Sequence, residues 1–294
     1  MRTYDHGAFT AAAIAATRER SISVCLPARN EAATIGPILE CLLPLRERGV
    51  VDQVVVVDDS TDGTADLARS AGAEVHAQSA LVPEMGPVLG KGDAMWRALS
   101  VLTGDVVVYL DADSEELGEH FACDLAGPIA CGETVDFVKG FYRRPWRTGD
   151  MVQPHGGGRV TELLARPMLS RFFPELAGFV QPLAGEVGAR RDLLMSLPFA
   201  TGYGVDVGLL VDAWRTVGAE RLAQADLRVR QNRHQPLGNL GPMAGEVLAA
   251  LVARMARDGR LTDAGAGAPL VERPPMGDAR HTSLTDGRTA LHWV

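Results

Sequence analysis

The sequence predicts an α/β protein, with a Rossmann-like, mostly parallel sheet in its first half and a looser, more helical second half. Three observations carry this. Short β-branched runs alternate with longer amphipathic stretches, as when parallel strands are joined by crossover helices. Val106 to Leu110 is apolar at every position, as in a central strand buried on both faces. After about residue 140 the alternation gives way to helical segments, prolines and the run Gly156-Gly157-Gly158.

In chain order, the Ala-rich stretch Ala11 to Ala16 reads as a short leading helix within residues 1–20. Ile22 to Leu26 reads as a strand and Pro27 to Asn30 as its turn, after which Ile35, Ile38, Leu39, Leu42 and Leu43 recur at helical spacing. Gln53 to Val57 forms the second strand, and Thr64 or Asp62 can cap the helix that follows. Ala73 to Ala77 is a third strand, Asp93 to Leu102 a helix, and Val106 to Leu110 the buried strand that closes the pattern of residues 21–140. Residues 141–258 form the second half, with helices around Glu162 to Phe173, Val205 to Val217 and Met243 to Arg257. Residues 259–294 carry Gly, Pro, Asp, Arg and Thr without a period and read as an irregular or mobile tail.

With 294 residues and 46% hydrophobic content, the chain can bury the core of one large domain or two merged ones. Its 29 basic against 37 acidic residues, a net charge of −8, argue against nucleic acid or anionic membrane as partners. An anionic ligand must be caught locally. No apolar run approaches the roughly 20 residues of a membrane span, and the Ala-rich start runs into Arg18, Glu19 and Arg20 without the order of a secretory signal. A cytoplasmic protein is expected. Cys25, Cys41, Cys123 and Cys131 lack C-x-x-C spacing, which argues against structural zinc and for reduced thiols.

The chemistry begins where Leu110-Asp111-Ala112-Asp113 leaves the buried strand. In extended backbone, residues two apart point the same way, so both carboxylates can face one point. Such a pair invites a cation, and oxygen-only ligation completed by phosphate and water suits Mg²⁺ or Mn²⁺. The alternative is that Asp113 caps a helix entering Glu115 and Glu116. Two other strand ends reach the same edge. Pro27-Ala28-Arg29-Asn30-Glu31 offers backbone groups, Asn30 and Glu31 to a base and a ribose, while Asp59, before Ser60, can accept from a base N–H and Asp58 can orient the loop. Gly90-Lys91-Gly92-Asp93 opens a helix whose free N–H groups, with the Lys91 ammonium, favour phosphate. Asn30 and Asp59 as plain turn residues, and Lys91 as a solvated charge, are the other readings. Ligands of open parallel sheets bind at this edge. A P-loop would need glycine at Met85 and Ser or Thr at Gly92, and no G-x-G-x-x-G follows the first strand.

Taken together, Leu26 to Glu31, Val57 to Thr64, Gly90 to Ala94 and Asp111-Ala112-Asp113 resemble a GT-A glycosyltransferase. Gly157-Gly158-Arg159-Val160-Thr161-Glu162-Leu163, Ala165-Arg166-Pro167, Gln181 to Glu186 and Gly202-Tyr203-Gly204-Val205-Asp206 narrow the resemblance to the glucosyl-3-phosphoglycerate synthases, over roughly residues 20 to 257. The resemblance implies a retaining enzyme and homodimer that uses a divalent metal to move glucose from UDP-glucose to 3-phosphoglycerate. It implies a nucleotide-sugar half at 21–140 and an acceptor half at 141–258. Residue by residue, it makes Asp111 and Asp113 the metal and diphosphate carboxylates, and it places Pro27, Ala28, Asn30, Glu31, Ser60, Lys91 and Ala112 on the nucleotide sugar. Gly158, Arg159 and Thr161 fall on the phosphoglycerate, where a Gly-rich turn and a guanidinium fork suit phosphate. Asp206 falls near the sugar, and a helix N-cap is its other reading.

One departure stands out. Where the family reads His-Arg-Asn, with the His on the metal and the Asn on the acceptor, this chain reads Asn232-Arg233-His234. Asn232 can still offer an amide oxygen to the metal and His234 a donor to the acceptor phosphate, or His234 itself can reach the metal. His155 reads as a loop residue beside the acceptor turn. Two further readings follow: the same fold with another acceptor or a GDP-mannose donor, and a nucleotide-sugar-binding protein without turnover.

Overall fold

The computed structural model describes residues 1–143, 146–148, 151–153, 158–230, 237–261 and 270–282. Its strands are β1 (Arg2–Tyr4), β2 (Ile22–Ala28), β3 (Gln53–Asp58), β4 (Glu74–Ala77), β5 (Val106–Tyr109), β6 (Phe137–Arg143), β7 (Trp146–Thr148), β8 (Met151–Gln153), β9 (Val187–Arg190), β10 (Phe199–Ala200), β11 (Leu222–Val229) and β12 (Glu272–Arg273). Its α-helices are α1 (Ala11–Thr17), α2 (Ile35–Glu47), α3 (Thr64–Ala71), α4 (Lys91–Ala98), α5 (His120–Ala130), α6 (Arg166–Phe172), α7 (Arg191–Met195), α8 (Val205–Val217), α9 (Leu237–Arg257) and α10 (Met276–Thr282).

Eight strands form one sheet in the order β1-β11-β6-β9-β5-β2-β3-β4. Every pairing in it is parallel except the two made by β9, which runs antiparallel to β5 and β6. Alternate residues feed two cores. Cys25, Val55, Val57, Val107 and Tyr109 enter one face, and Val24, Leu26, Val54, Val56, Val106 and Val108 the other. Each such Val or Leu contributes about 1.5–3 kcal/mol on burial, and covering both faces is why these strands read as continuous apolar runs.

Several bounds differ from the sequence reading. β2 continues through Pro27 and Ala28. The Cys25 carbonyl accepts from Leu110 N–H at 3.0 Å, so Pro27, two residues on, faces the side where β5 has ended and its missing N–H breaks no ladder bond. α4 starts two residues early and ends at Ala98, because Ser100 and Val101 bond back three residues to Arg97 and Ala98, both at 3.0 Å, and tighten the last turn. Gly63 precedes α3 in left-handed conformation while Asp62 accepts from Thr64 N–H at 3.1 Å. α8 has the expected bounds.

The sheet takes β6, β9 and β11 from beyond residue 136, so it runs without a break across the boundary drawn at 140, which falls inside β6. Within the segment read as an irregular or mobile tail, β12 pairs antiparallel with β10, Phe199 opposite Arg273 and Ala200 opposite Glu272, and α10 follows. A two-residue strand has no period to read. Among the described residues no helix is long and apolar enough to cross a membrane.

Candidate active site

Because β9 is reversed, Glu186 just before it reaches the same sheet edge as Asp111 and Asp113 just after β5 and Arg230 just after β11. The two aspartates converge, as residues two apart on extended backbone should, and what they meet is the Arg230 guanidinium. It lies 3.1 Å from Asp111 Oδ2 and also pairs with Asp113 Oδ1. Arg230 further donates to Ser114 Oγ at 2.9 Å and Tyr142 Oη at 2.8 Å, and stands 2.8 Å from Glu186 Oε1. Asp113 caps no helix. The next one is α5, which starts at His120 behind Glu119.

Lys91 completes the cluster. Its Nζ lies 2.8 Å from Asp111 Oδ1 and 3.2 Å from Asp206 Oδ2. Lys91 is therefore no solvated charge, and Asp206, in the first turn of α8, turns its carboxylate to Lys91 rather than capping the helix, whose cap position is Gly204. Buried Lys139 of β6 donates to the Asp206 carbonyl at 2.9 Å. Gly185 makes the approach possible, since a Cβ there would stand 2.3 Å from Asp111 Oδ1 and 2.4 Å from Lys91 Nζ.

The charges set one another's protonation. Burial pushes the Asp111 carboxyl up, but Lys91 and Arg230 outweigh it and hold the group well below the usual range. Burial pushes Lys91 down, and Asp111 and Asp206 more than reverse it, so the ammonium persists. Burial raises Glu186 against the pull of Arg230 and Lys91, and Asp206 against that of Lys91 and Lys139. Lys139 goes the other way, pushed down by burial to about 8.

Two adjacent carboxylates offering only oxygen, with the Asp113 side chain 44% exposed, fit a hard divalent cation whose remaining positions phosphate and water fill. Among the described residues no cluster of three His, Cys, Asp or Glu forms around them. The expected third ligand Asn232, like His234 and His155, lies outside the described residues.

The loops after β2 and β3 are stitched together beside this cluster. Asn30, in left-handed conformation at φ 61°, donates its N–H to Ser60 Oγ at 2.7 Å and accepts from Thr61 N–H at 3.1 Å, so it does serve as a turn residue. Ser60 is held by Asp58 through Oγ at 2.6 Å and N–H at 3.1 Å, the orienting role read for Asp58, and this leaves Asp59 exposed. Glu31 N–H bonds Thr64 Oγ1 at 2.9 Å, and the Ala112 carbonyl accepts from Thr34 at 2.6 Å, tying the aspartate turn to the start of α2. Pro27 and Ala28 end β2 level with Val57 and Asp58.

On the acceptor side, Gly158 turns at φ 78° into a helical stretch in which Glu162 N–H bonds its carbonyl at 3.0 Å. Thr161 is buried and opens a π-turn, Thr161–Ala165, that ends where Pro167 supplies no N–H to a regular ladder. Arg159, just ahead of this turn, is half-buried.

Arg230, Glu186, Lys139 and Tyr142 escaped the sequence reading of the site. Lys139 had a signal, being a charge two residues from Phe137 on one strand face, and both prove buried. Glu186 and Arg230 lay inside or beside motifs read for other residues.

The family model described as glycosyl transferase family 2 matches residues 23–182. The glucosyl-3-phosphoglycerate synthase of Mycolicibacterium smegmatis is 41% identical over 280 residues, covering 89% of this chain and 91% of that one. The crystal structure of mannosyl-3-phosphoglycerate synthase from Rubrobacter xylanophilus superposes with a TM-score of 0.86 at 42% identity, over 94% of this chain and 97% of that one. That of glucosyl-3-phosphoglycerate synthase from Mycobacterium tuberculosis, in complex with Mn²⁺, UDP-glucose and phosphoglyceric acid, does so with 0.85 at 40%, over 95% and 99%.

Proposed function

The chain matches the glycosyl transferase family 2 model and belongs to the glucosyl-3-phosphoglycerate synthases, and from that membership we propose that it moves glucose from UDP-glucose to 3-phosphoglycerate. The observation that carries the reading is the convergence of Lys91, Asp111, Asp113, Asp206 and Arg230 at the carboxyl edge of the sheet, beside the stitched Asn30–Ser60 loops. Residues 21–140 hold the donor through Pro27, Ala28, Asn30, Glu31, Asp59 and Ser60, and residues 141–258 hold the acceptor through Gly158, Arg159, Thr161 and His234.

In the reaction the bond between the sugar's anomeric carbon and the diphosphate breaks, UDP leaving with the electron pair. The acceptor hydroxyl oxygen bonds to that carbon from the same face and gives its proton to a departing diphosphate oxygen. Asp111 and Asp113, with Asn232, would hold the Mg²⁺ or Mn²⁺ ion, which when bound would supply positive charge opposite the leaving diphosphate. Lys91 and the N–H groups at the start of α4 add theirs. Asp206 holds Lys91 in place, and Arg230 keeps the aspartates ionised and aimed. Retention is checked by the anomeric configuration of the product, inversion being the contrary result.

The test is UDP release from UDP-glucose with Mn²⁺ or Mg²⁺, with and without 3-phosphoglycerate, beside Arg159→Ala. Acceptor-dependent release that collapses in the variant supports the assignment, whereas donor binding without it sends the reading to another acceptor or to binding without turnover. The mannosyl synthase neighbour at 42% identity favours a second donor reading, so GDP-mannose belongs in the same assay. Four free cysteines, two of them buried, support a reducing, cytoplasmic setting. A homodimer is the proposed assembly, and light scattering at a monomer mass would remove it.

A further inference from the structure

Helix α4 begins at Lys91, and part of what locks its start comes from the far end of the chain. The Asp93 carboxylate is fully buried between two arginines, with Arg97 Nε 2.8 Å from Oδ2 and Arg273 Nε 2.5 Å from Oδ1, the latter from 180 positions away. Both guanidiniums then reach the loop that leads into Gly90 and Lys91. Arg97 donates to the carbonyls of Val82 at 3.1 Å and Gly86 at 2.7 Å, and Arg273 to those of Met85 and, at 3.0 Å, Pro87. Leu89 N–H closes onto Asp93 Oδ2 at 3.1 Å.

The backbone around Arg273 grips the other side of the site. Thr201 donates through N–H and Oγ1 to the Val271 carbonyl at 3.1 and 3.0 Å, and its own carbonyl accepts from Asp93 N–H at 3.2 Å. Gly92 packs so tightly on β10 that a Cβ would stand 1.8 Å from the Ala200 carbonyl oxygen. Thr201 leads directly into α8 and Asp206. The Pro274 carbonyl accepts from the Trp96 indole N–H at 2.7 Å, and the Arg273 guanidinium lies 5.5 Å from the Trp96 ring centroid.

We propose that residues 270–276 are a strap that, through Arg273, positions Lys91 against Asp206 for transfer, which makes Arg273 a positioning residue remote from the substrates. An apolar tail would have docked without burying a carboxylate and two guanidiniums, a desolvation that stabilises little by itself. The planar fork instead fixes direction, binding one carboxylate and two loop carbonyls at once. Where Lys91 lies 2.8 and 3.2 Å from its two carboxylates, a shift of about 1 Å at the helix start is enough to cost on the order of 10²-fold in rate. The inference rests on the reading of Lys91 as the donor-phosphate residue.

The test uses the full chain carrying Arg273→Met or Arg273→Lys. Arg273→Met is expected to lower kcat at least about tenfold while KM for UDP-glucose stays within about threefold, with Arg273→Lys between. In a Lys91→Gln background, Arg273→Met should cost less than about twofold more, because both act through one ammonium. Amide exchange over 82–92 should rise in Arg273→Met and stay unchanged in β2 and β3. Unchanged kcat, a fully additive loss in Lys91→Gln, or unchanged exchange over 82–92 would each overturn the strap. Should Arg273→Met fail to fold, Arg273→Lys is read by the same criteria. Should the wild type show no transfer from UDP-glucose, the donor reading falls, and the exchange measurement still decides the clamp.

Discussion

Arg230 lies 3.1 Å from one oxygen of Asp111, whose other oxygen Lys91 holds at 2.8 Å. Two cations on one carboxylate leave Asp113, which is more exposed and meets only Arg230 among them, as the readier seat for a metal. Asp113→Asn should therefore raise the Mn²⁺ concentration for half-maximal UDP release by at least about tenfold with little change in melting temperature in chelator. Asp111→Asn should lower both activity and metal-free stability, the latter by about 1–3 kcal/mol since the pair is partly solvated. Equal metal profiles for the two variants would contradict this division.

Arg230 also stands 2.8 Å from an oxygen of Glu186, a carboxyl that is fully buried. Arg230→Met strands that carboxylate, and a loss of about 3–5 kcal/mol is expected by denaturant unfolding. Adding Glu186→Gln should recover part of it. A double variant no more stable than Arg230→Met would mean that the pair is not what holds this edge.

Gly185→Ala places a methyl group against the Asp111 carboxylate and Lys91 ammonium. Both are side-chain ends that can swing aside, so stability should change by about 1 kcal/mol while kcat falls on the order of 10²-fold through misplacement. Steady-state kinetics alongside thermal melts check this, and normal kcat in the variant would show that the close approach is dispensable.

For Lys139 the pH dependence follows from its sign. Burial brings the folded ammonium down to about 8 from the ordinary 10.5, so between those values the unfolded chain holds the extra proton and stability rises with pH. Compared with Lys139→Met, the wild type should gain on the order of 3 kcal/mol from pH 7 to pH 10.5. Denaturant unfolding at both pH values measures the difference, and a constant gap between the two proteins would place the lysine's proton elsewhere.

Much of the fold was legible because parallel strands buried on both faces leave uninterrupted apolar runs, and β5 and α8 stand where those runs put them. The Asp111 and Asp113 convergence was legible for a similar reason, since a period of two is a local property of extended backbone. The stitching of Asn30 to Ser60 followed from two parallel strands ending level.

What the amino-acid sequence by itself determined was thus the α/β class and the sheet edge at which the residues of its short motifs gather. Only the tertiary structure decided that Glu186 reaches that edge on a reversed strand, that Arg230 takes up both aspartates, that Lys91 is locked to Asp206 and that Arg273 clamps the loop before it. Each of these is a pairing between groups far apart along the chain. A buried charge finds its partner through packing, and packing leaves no period in the sequence.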